Sequence, residues 1–223
     1  NCLTYIIHIE FLTMNQIPNA ELFFLKNSRS KELVRKSTAE MFKGRSVLVV
    51  GINGAFTPTD EKMVKDYEKL FLHFKDTTII GDPNDATHID DIYFLCMNDA
   101  YVMDAWWKKM KIKNCKYLPD GNGALSLRIN NQGGIAAGQG VVEMYNKGLG
   151  KRTWRYVLLV EDGCQMTFLE EEVPDGAENR NNLDIDPYIL TEPEETLAFL
   201  RARQQRAKIE ASNRLTEDLS LPS

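Results

Sequence analysis

The stretch SVLVVGINGAFTPTDEKMVKDYEKLFLHF, Ser46–Phe74, decides the fold. Its opening, Ser46–Ile52, is a continuous run rich in β-branched residues, the pattern of a strand buried on both faces. A tight loop follows over Asn53–Thr59. From Glu61 to about Phe74 the apolar residues Met63, Val64, Tyr67, Leu70, Phe71 and Phe74 recur at helical spacing, which predicts an amphipathic helix.

Outward from this unit the same grammar repeats. Ile17–Leu22 reads as a short leading strand, and Ser37–Phe42 as a helical turn with Ser37 as N-cap. Asp91–Met97 is a second buried strand. Ala100–Met110 is a second amphipathic helix, started by Asn98 or Asp99. Cys115–Leu118 is a strand ending in the turn signal PDGNG. Tyr156–Glu161 and Gln165–Glu170 form a hairpin through Asp162 and Gly163. Glu192–Arg206 is the last helix, with Pro193 in its first turn. Strands alternating with helices, then a late hairpin, predict one α/β domain with a mixed sheet flanked by helices. The expected division is an N-terminal extension over 1–16, the domain over 17–200, and a helix end with a loose polar tail over 201–223. Met14 reads as a functional start, with the residues before it peripheral to the fold.

Composition narrows the function classes. The chain has 223 residues, a net charge of −5 and 43% hydrophobic residues, ordinary for a soluble globular protein. An acidic surface repels phosphate backbones, so nucleic acid is excluded as the expected partner. The lysines at 108, 109, 111, 113 and 116 read as a solvated face. No apolar run approaches the roughly 20 residues that span a bilayer. The expected location is cytoplasmic, with organellar targeting left open. Cys2, Cys96, Cys115 and Cys164 form no CxxC and no metal-type spacing with His8, His73 and His88. Cys96 and Cys164 read as inert core thiols, Cys115 as the accessible one, and His73 as a structural or surface histidine. Gly133–Gly140, GGIAAGQG, lacks the ending of a phosphate loop and reads as an exposed insertion. No cofactor and no metal are expected.

At the strand–loop–helix junction the sequence resembles the peroxiredoxins, specifically their type-five branch. The family motif is P-x-x-x-T-x-x-C, and the corresponding stretch here is Asn53-Gly54-Ala55-Phe56-Thr57-Pro58-Thr59-Asp60. MNDAYVMDAWWKKMKIKNCKYLPDGNG (Met97–Gly123), GKRTWRYVLLVEDG (Gly150–Gly163) and DPYILTEPEETLAFL (Asp186–Leu200) extend the resemblance from about Ile17 to Leu200. It implies a thioredoxin-like fold and a thiol-dependent peroxidase of hydrogen peroxide or organic hydroperoxides. It also implies that Thr57 hydrogen-bonds thiolate and peroxide, and that Arg155 stabilises thiolate and transition-state charge. Glutathione, glutaredoxin or thioredoxin would be the reductant. The resolving-cysteine region corresponds to Glu178–Asp186 and holds no cysteine, which implies an external thiol. A homodimer formed near the site loop is implied as well, with Phe56 and Trp154 able to lend apolar area or to pack in the core.

Two residues depart from the pattern. Asn53 stands where proline usually does. Asp60 stands where the nucleophile belongs, and a carboxylate cannot cycle through a sulfenic acid. The family's following helix carries an aromatic one position further from the nucleophile than Tyr67 stands from Asp60. One extra residue between Thr59 and Asp60 restores that register. The expectation is therefore an oxidised cysteine at this step, missing from the sequence. The alternatives are a deletion or a true replacement by Asp60, the latter giving an inactive binding or scaffold protein.

Overall fold

The computed structural model describes residues 16–27, 29–75, 89–129, 140–173, 177 and 180–220. In chain order its elements are β1 (Glu21–Leu25), β2 (Leu33–Ser37), α1 (Thr38–Phe42), β3 (Ser46–Gly51), α2 (Pro58–Lys75), β4 (Asp91–Cys96), α3 (Ala100–Met110), β5 (Lys116–Pro119), β6 (Val141–Met144), β7 (Gly150–Thr153), β8 (Tyr156–Glu161), β9 (Cys164–Glu170) and α4 (Pro193–Ser220). The central sheet has the order β5-β4-β3-β8-β9. The first three strands are parallel, and β8 and β9 are antiparallel additions at the other side. This is the mixed sheet flanked by helices that the sequence predicts.

β3 shows why the fold closes here. Its side chains alternate across the sheet. Leu48, Val50 and Ile52 meet Met63, Val64, Tyr67 and Phe74 of α2, Met103 and Trp106 of α3, and Leu197 and Leu200 of α4. Val47 and Val49 point the other way, toward Leu22, Phe24 and Phe42. Full burial of side chains such as Met63, Val64 and Phe74 contributes about 1.5–3 kcal/mol each.

Three local features fix how strands meet the site. Gly51, the last residue of β3, lies against the neighbouring strand: a Cβ there would sit 2.4 Å from the Trp154 carbonyl oxygen and 2.7 Å from the Tyr156 ring. The β8–β9 hairpin turns through Asp162 (φ 48°) and Gly163 (φ 76°), the two left-handed residues that a tight hairpin demands. Asp99 caps α3, accepting hydrogen bonds from the amides of Tyr101 and Val102.

Several expectations are corrected. The leading strand begins at Glu21, and it pairs with β2, a strand the sequence reading lacked. Ser37 sits at the N-cap of α1 without capping it, because its hydroxyl donates to Asn19 Oδ1. α2 starts at Pro58 rather than Glu61. α4 continues past Arg206 to Ser220, so the polar stretch there is helix rather than loose tail. Most of the glycine-rich segment and residues 1–15 lie outside the described residues, as do His8 and His88. Among the described residues no helix is long and apolar enough to cross a membrane.

Candidate active site

The parallel strands end at the head of α2, where ligands of open α/β sheets characteristically bind. Thr57 ends the loop there, and Asp60 stands three residues on, next to Thr59 in the first turn of α2. Arg155 enters from the residue just before β8. The structure brings all three together. Arg155 Nη2 donates to Asp60 Oδ1 at 2.5 Å, with both side chains fully buried. The Thr57 hydroxyl lies 2.7 Å from Asp60 Oδ2, and the Gly54 amide donates to that same oxygen at 2.8 Å. Asp60 and Arg155 are 95 residues apart in the chain, and the folded sheet brings them into contact.

The loop is held open in a set shape. Asn98 Oδ1 accepts from the Ala55 amide at 3.0 Å and from the Cys96 thiol at 3.0 Å, tying the loop to the end of β4. Phe56 takes φ 67°, an uncommon conformation for a bulky residue, and is 47% exposed at the rim. The Lys109 ammonium stands 5.2 Å above its ring. Trp154, in contrast, is buried, so of the two aromatics considered for a surface contact only Phe56 has free area.

The electrostatics are crowded. Arg155 serves a second carboxylate: Nη1 donates to Asp186 Oδ1 at 2.5 Å and to the Pro187 carbonyl at 2.6 Å. Asn53, at the family's proline position, is buried and donates its side-chain amide to the same Asp186 oxygen at 2.9 Å. Burial pushes the Asp60 carboxyl above its ordinary value, outweighing the pull of Arg155, Thr57 and the Gly54 amide. The geometry agrees. Arg155 is shared with Asp186, and the Thr57 hydroxyl has one proton for two acceptors, Asp60 Oδ2 and the Gly54 carbonyl at 2.9 Å. Burial works to lower Arg155, but Asp60 and Asp186 together raise it, so it stays a cation.

The thiols separate differently from expectation. Cys96 is buried, as expected, and its thiol is pushed up to about 12 by burial first and then by the Asp60 charge. Cys115 is buried rather than accessible, because β5 turns it inward beneath Trp107, whose indole donates to its carbonyl. Its thiol is also raised, by burial and by Glu68. Cys164, expected in the core, is only partly covered at the start of β9. His73 is exposed near the end of α2. No group of three or more His, Cys, Asp or Glu able to hold a metal occurs among the described residues. Asp186, Asn53 and Asn98 are site residues that the sequence reading did not select.

The mixed sheet flanked by helices is the thioredoxin-like fold of the peroxiredoxin class of oxidoreductase. Comparison with known proteins agrees. The Redoxin family model matches residues 14–184, and the chain belongs to that family. A peroxiredoxin of Rhizobium etli is 34% identical over 75% of this chain and 80% of its own length. A peroxiredoxin of Synechocystis sp. is 33% identical over 76% and 77%. Among solved structures, a peroxiredoxin superposes with a TM-score of 0.68 at 27% identity, covering 84% of this chain and 96% of the other. The 1-Cys peroxiredoxin antioxidant protein of Plasmodium falciparum gives 0.66 at 27%, covering 84% and 97%. Membership places the chain among the thiol-dependent peroxidases, which reduce peroxides at the expense of thiols.

Proposed function

We propose that the pocket at the head of α2 is the peroxide-reducing site of a thiol peroxidase acting on hydrogen peroxide or organic hydroperoxides. Its nucleophile belongs at the Thr59/Asp60 step, and Thr57 and Arg155 orient and polarise the peroxide. The observation that carries this reading is the convergence of Arg155 Nη2 and the Thr57 hydroxyl on the side chain of residue 60, at 2.5 and 2.7 Å. In the sequence as it stands the Asp60 carboxylate holds the place of the thiolate.

At such a site the thiolate sulfur attacks the distal peroxide oxygen. The S–O bond forms, the O–O bond breaks, and water or an alcohol leaves with a proton. The resulting sulfenic acid condenses with a reductant thiol, releasing water. A second thiol then exchanges the mixed disulfide and restores the cysteine. The donors on residue 60 lower the thiol's pKa and meet the charge developing on the leaving oxygen. Region 178–186 has no cysteine, so glutathione, glutaredoxin or thioredoxin supplies the reducing thiol to a cytoplasmic enzyme. The exposed Phe56 at the rim supports pairing of two copies there, which light scattering tests.

A second reading has its own observation. Asp60 takes three polar hydrogens in a buried pocket and sets a carboxylate where the thiolate would stand, which supports an inactive binding or scaffold protein. Intact mass and thiol-dependent peroxide consumption, measured on the unaltered chain and on Asp60→Cys, separate the two. A mass excess of one oxidised cysteine with turnover supports the peroxidase. The mass of the sequence as written, with turnover only in Asp60→Cys, supports the scaffold built on a peroxidase pocket. No turnover in either protein sinks the assignment of the pocket.

A further inference from the structure

We infer that Asp186 is a positioning residue for Arg155: it fixes the guanidinium's orientation and offsets part of the charge presented to residue 60. This rests on the reading of the pocket above. Arg155 can offer Nη2 to residue 60 only because its other end is clamped. Nη1 is bound by Asp186 Oδ1 and the Pro187 carbonyl, and Asp186 Oδ2 reaches Nη2 at 3.4 Å. Asn53 braces the clamp from the site loop itself, 133 residues earlier in the chain.

The clamp is anchored on its far side. Glu171, buried just past β9, accepts hydrogen bonds from the amides of Ile189, Leu190 and Thr191 and from the Thr191 hydroxyl. The Tyr67 hydroxyl, on α2, donates to the Thr191 carbonyl at 2.8 Å. The segment carrying Asp186 is thus pinned to β9 and to the same helix whose first turn holds residue 60. An ion pair braced by neutral hydrogen bonds on both sides keeps a planar guanidinium in one orientation.

Charge follows from the same contacts. Both carboxylates bind one guanidinium nitrogen, so Asp186 Oδ2 lies within about 6 Å of the residue 60 oxygen, close enough for its charge to act on that side chain. Among the described residues Arg155 binds residue 60 directly, Asp186 reaches it across the shared guanidinium, and Cys96 lies near enough for the Asp60 charge to help push its thiol up to about 12.

The test uses the full chain carrying Asp60→Cys, alone and combined with Asp186→Asn or Asp186→Ala. Thiolate titration is followed by ultraviolet absorbance, with the Asp60 parent subtracted so that the other thiols cancel. Asp186→Asn keeps an acceptor for Nη1 and removes the charge. Its introduced thiol should titrate about one pH unit lower, a roughly tenfold gain in thiolate at a pH below the midpoint. Asp186→Ala removes the clamp as well. Its rate with hydrogen peroxide, measured where the thiol is fully ionised, should fall about tenfold. Coincident titration curves for Asp60→Cys and its Asp186→Asn partner overturn the proposal. If neither the unaltered chain nor Asp60→Cys reacts with peroxide, the peroxidase reading fails, and the titration shift still decides the role of Asp186. The unaltered chain provides a second measurement, because Asp186→Asn alone should move the Asp60-dependent part of the pH–stability profile toward acid. An unmoved profile counts against the proposal.

Discussion

At the end of the sheet where β3, β4 and β5 begin, Asp91 accepts hydrogen bonds from Arg45 and from Lys116. At the opposite end, where β3 finishes, Asp60 and Asp186 both accept from Arg155. The first cluster has two cations for one carboxylate, and the second has two carboxylates for one cation. The cations around Asp91 are long side chains reaching from the surface, 34% and 49% exposed. Water shares their solvation, and either one can stand in for the other. Arg155 is fully buried and has no substitute. The difference separates a surface cluster at a sheet edge from a site built on the buried Arg155–Asp60 pair, to which the 31% exposed Asp186 adds a second carboxylate. Excess buried charge is costly, and folds retain it where chemistry uses it.

The comparison breaks most readily at Arg155. Arg155→Met leaves Asp60 buried without its counter-ion and should cost about 3–5 kcal/mol in urea denaturation. Arg45→Met leaves Asp91 with Lys116 and should cost no more than about 1 kcal/mol. Equal losses would mean that the two clusters do not differ as drawn.

A smaller effect sharpens the electrostatic side. The folded-state pKa of Asp60 is raised, so the folded chain binds its proton more tightly than the unfolded chain does. Its contribution to stability is fully present below the unfolded carboxylate range and is lost as pH rises through the folded value. Compared with Asp60→Asn, the parent should therefore lose stability as pH rises above about 4, by up to 1.4 kcal/mol per pH unit within that window. A flat difference from pH 4 to pH 8 would show an ordinary carboxylate. Lys116→Met should change stability by less than about 1 kcal/mol, since its partner keeps Arg45.

The mildest measurement is chemical labelling. At pH 8 iodoacetamide should modify Cys164 while Cys96 and Cys115 stay unlabelled until denaturant is added. Rapid labelling of Cys96 would mean that the end of β4 beside the pocket opens far more freely than its packing allows.

Much of this was legible before folding was considered. The boundaries of α3 are those its apolar spacing predicts, and β3 and β4 announce themselves by unbroken apolar runs. Thr57 and Arg155 could be selected because each sits in a stretch with a family signature. What stayed hidden has a common physical origin. β2, LVRKS, is a mostly exposed edge partner with no apolar rhythm of its own, and only pairing with β1 makes it a strand. Cys115 looked accessible among lysines because its inward direction depends on α3 and β5 meeting. Asp186 opens a stretch with a family resemblance, but nothing local marks its partner, since the guanidinium it binds is 31 residues away.

Nothing projects from Gly51, and the backbone on either side of Arg155 rests in the room this leaves. A single methyl group there would push Trp154 and Tyr156 outward and carry the intervening residue with them. The reach of a side chain into the heart of the molecule is thus metered by a carbon atom that another strand does not have.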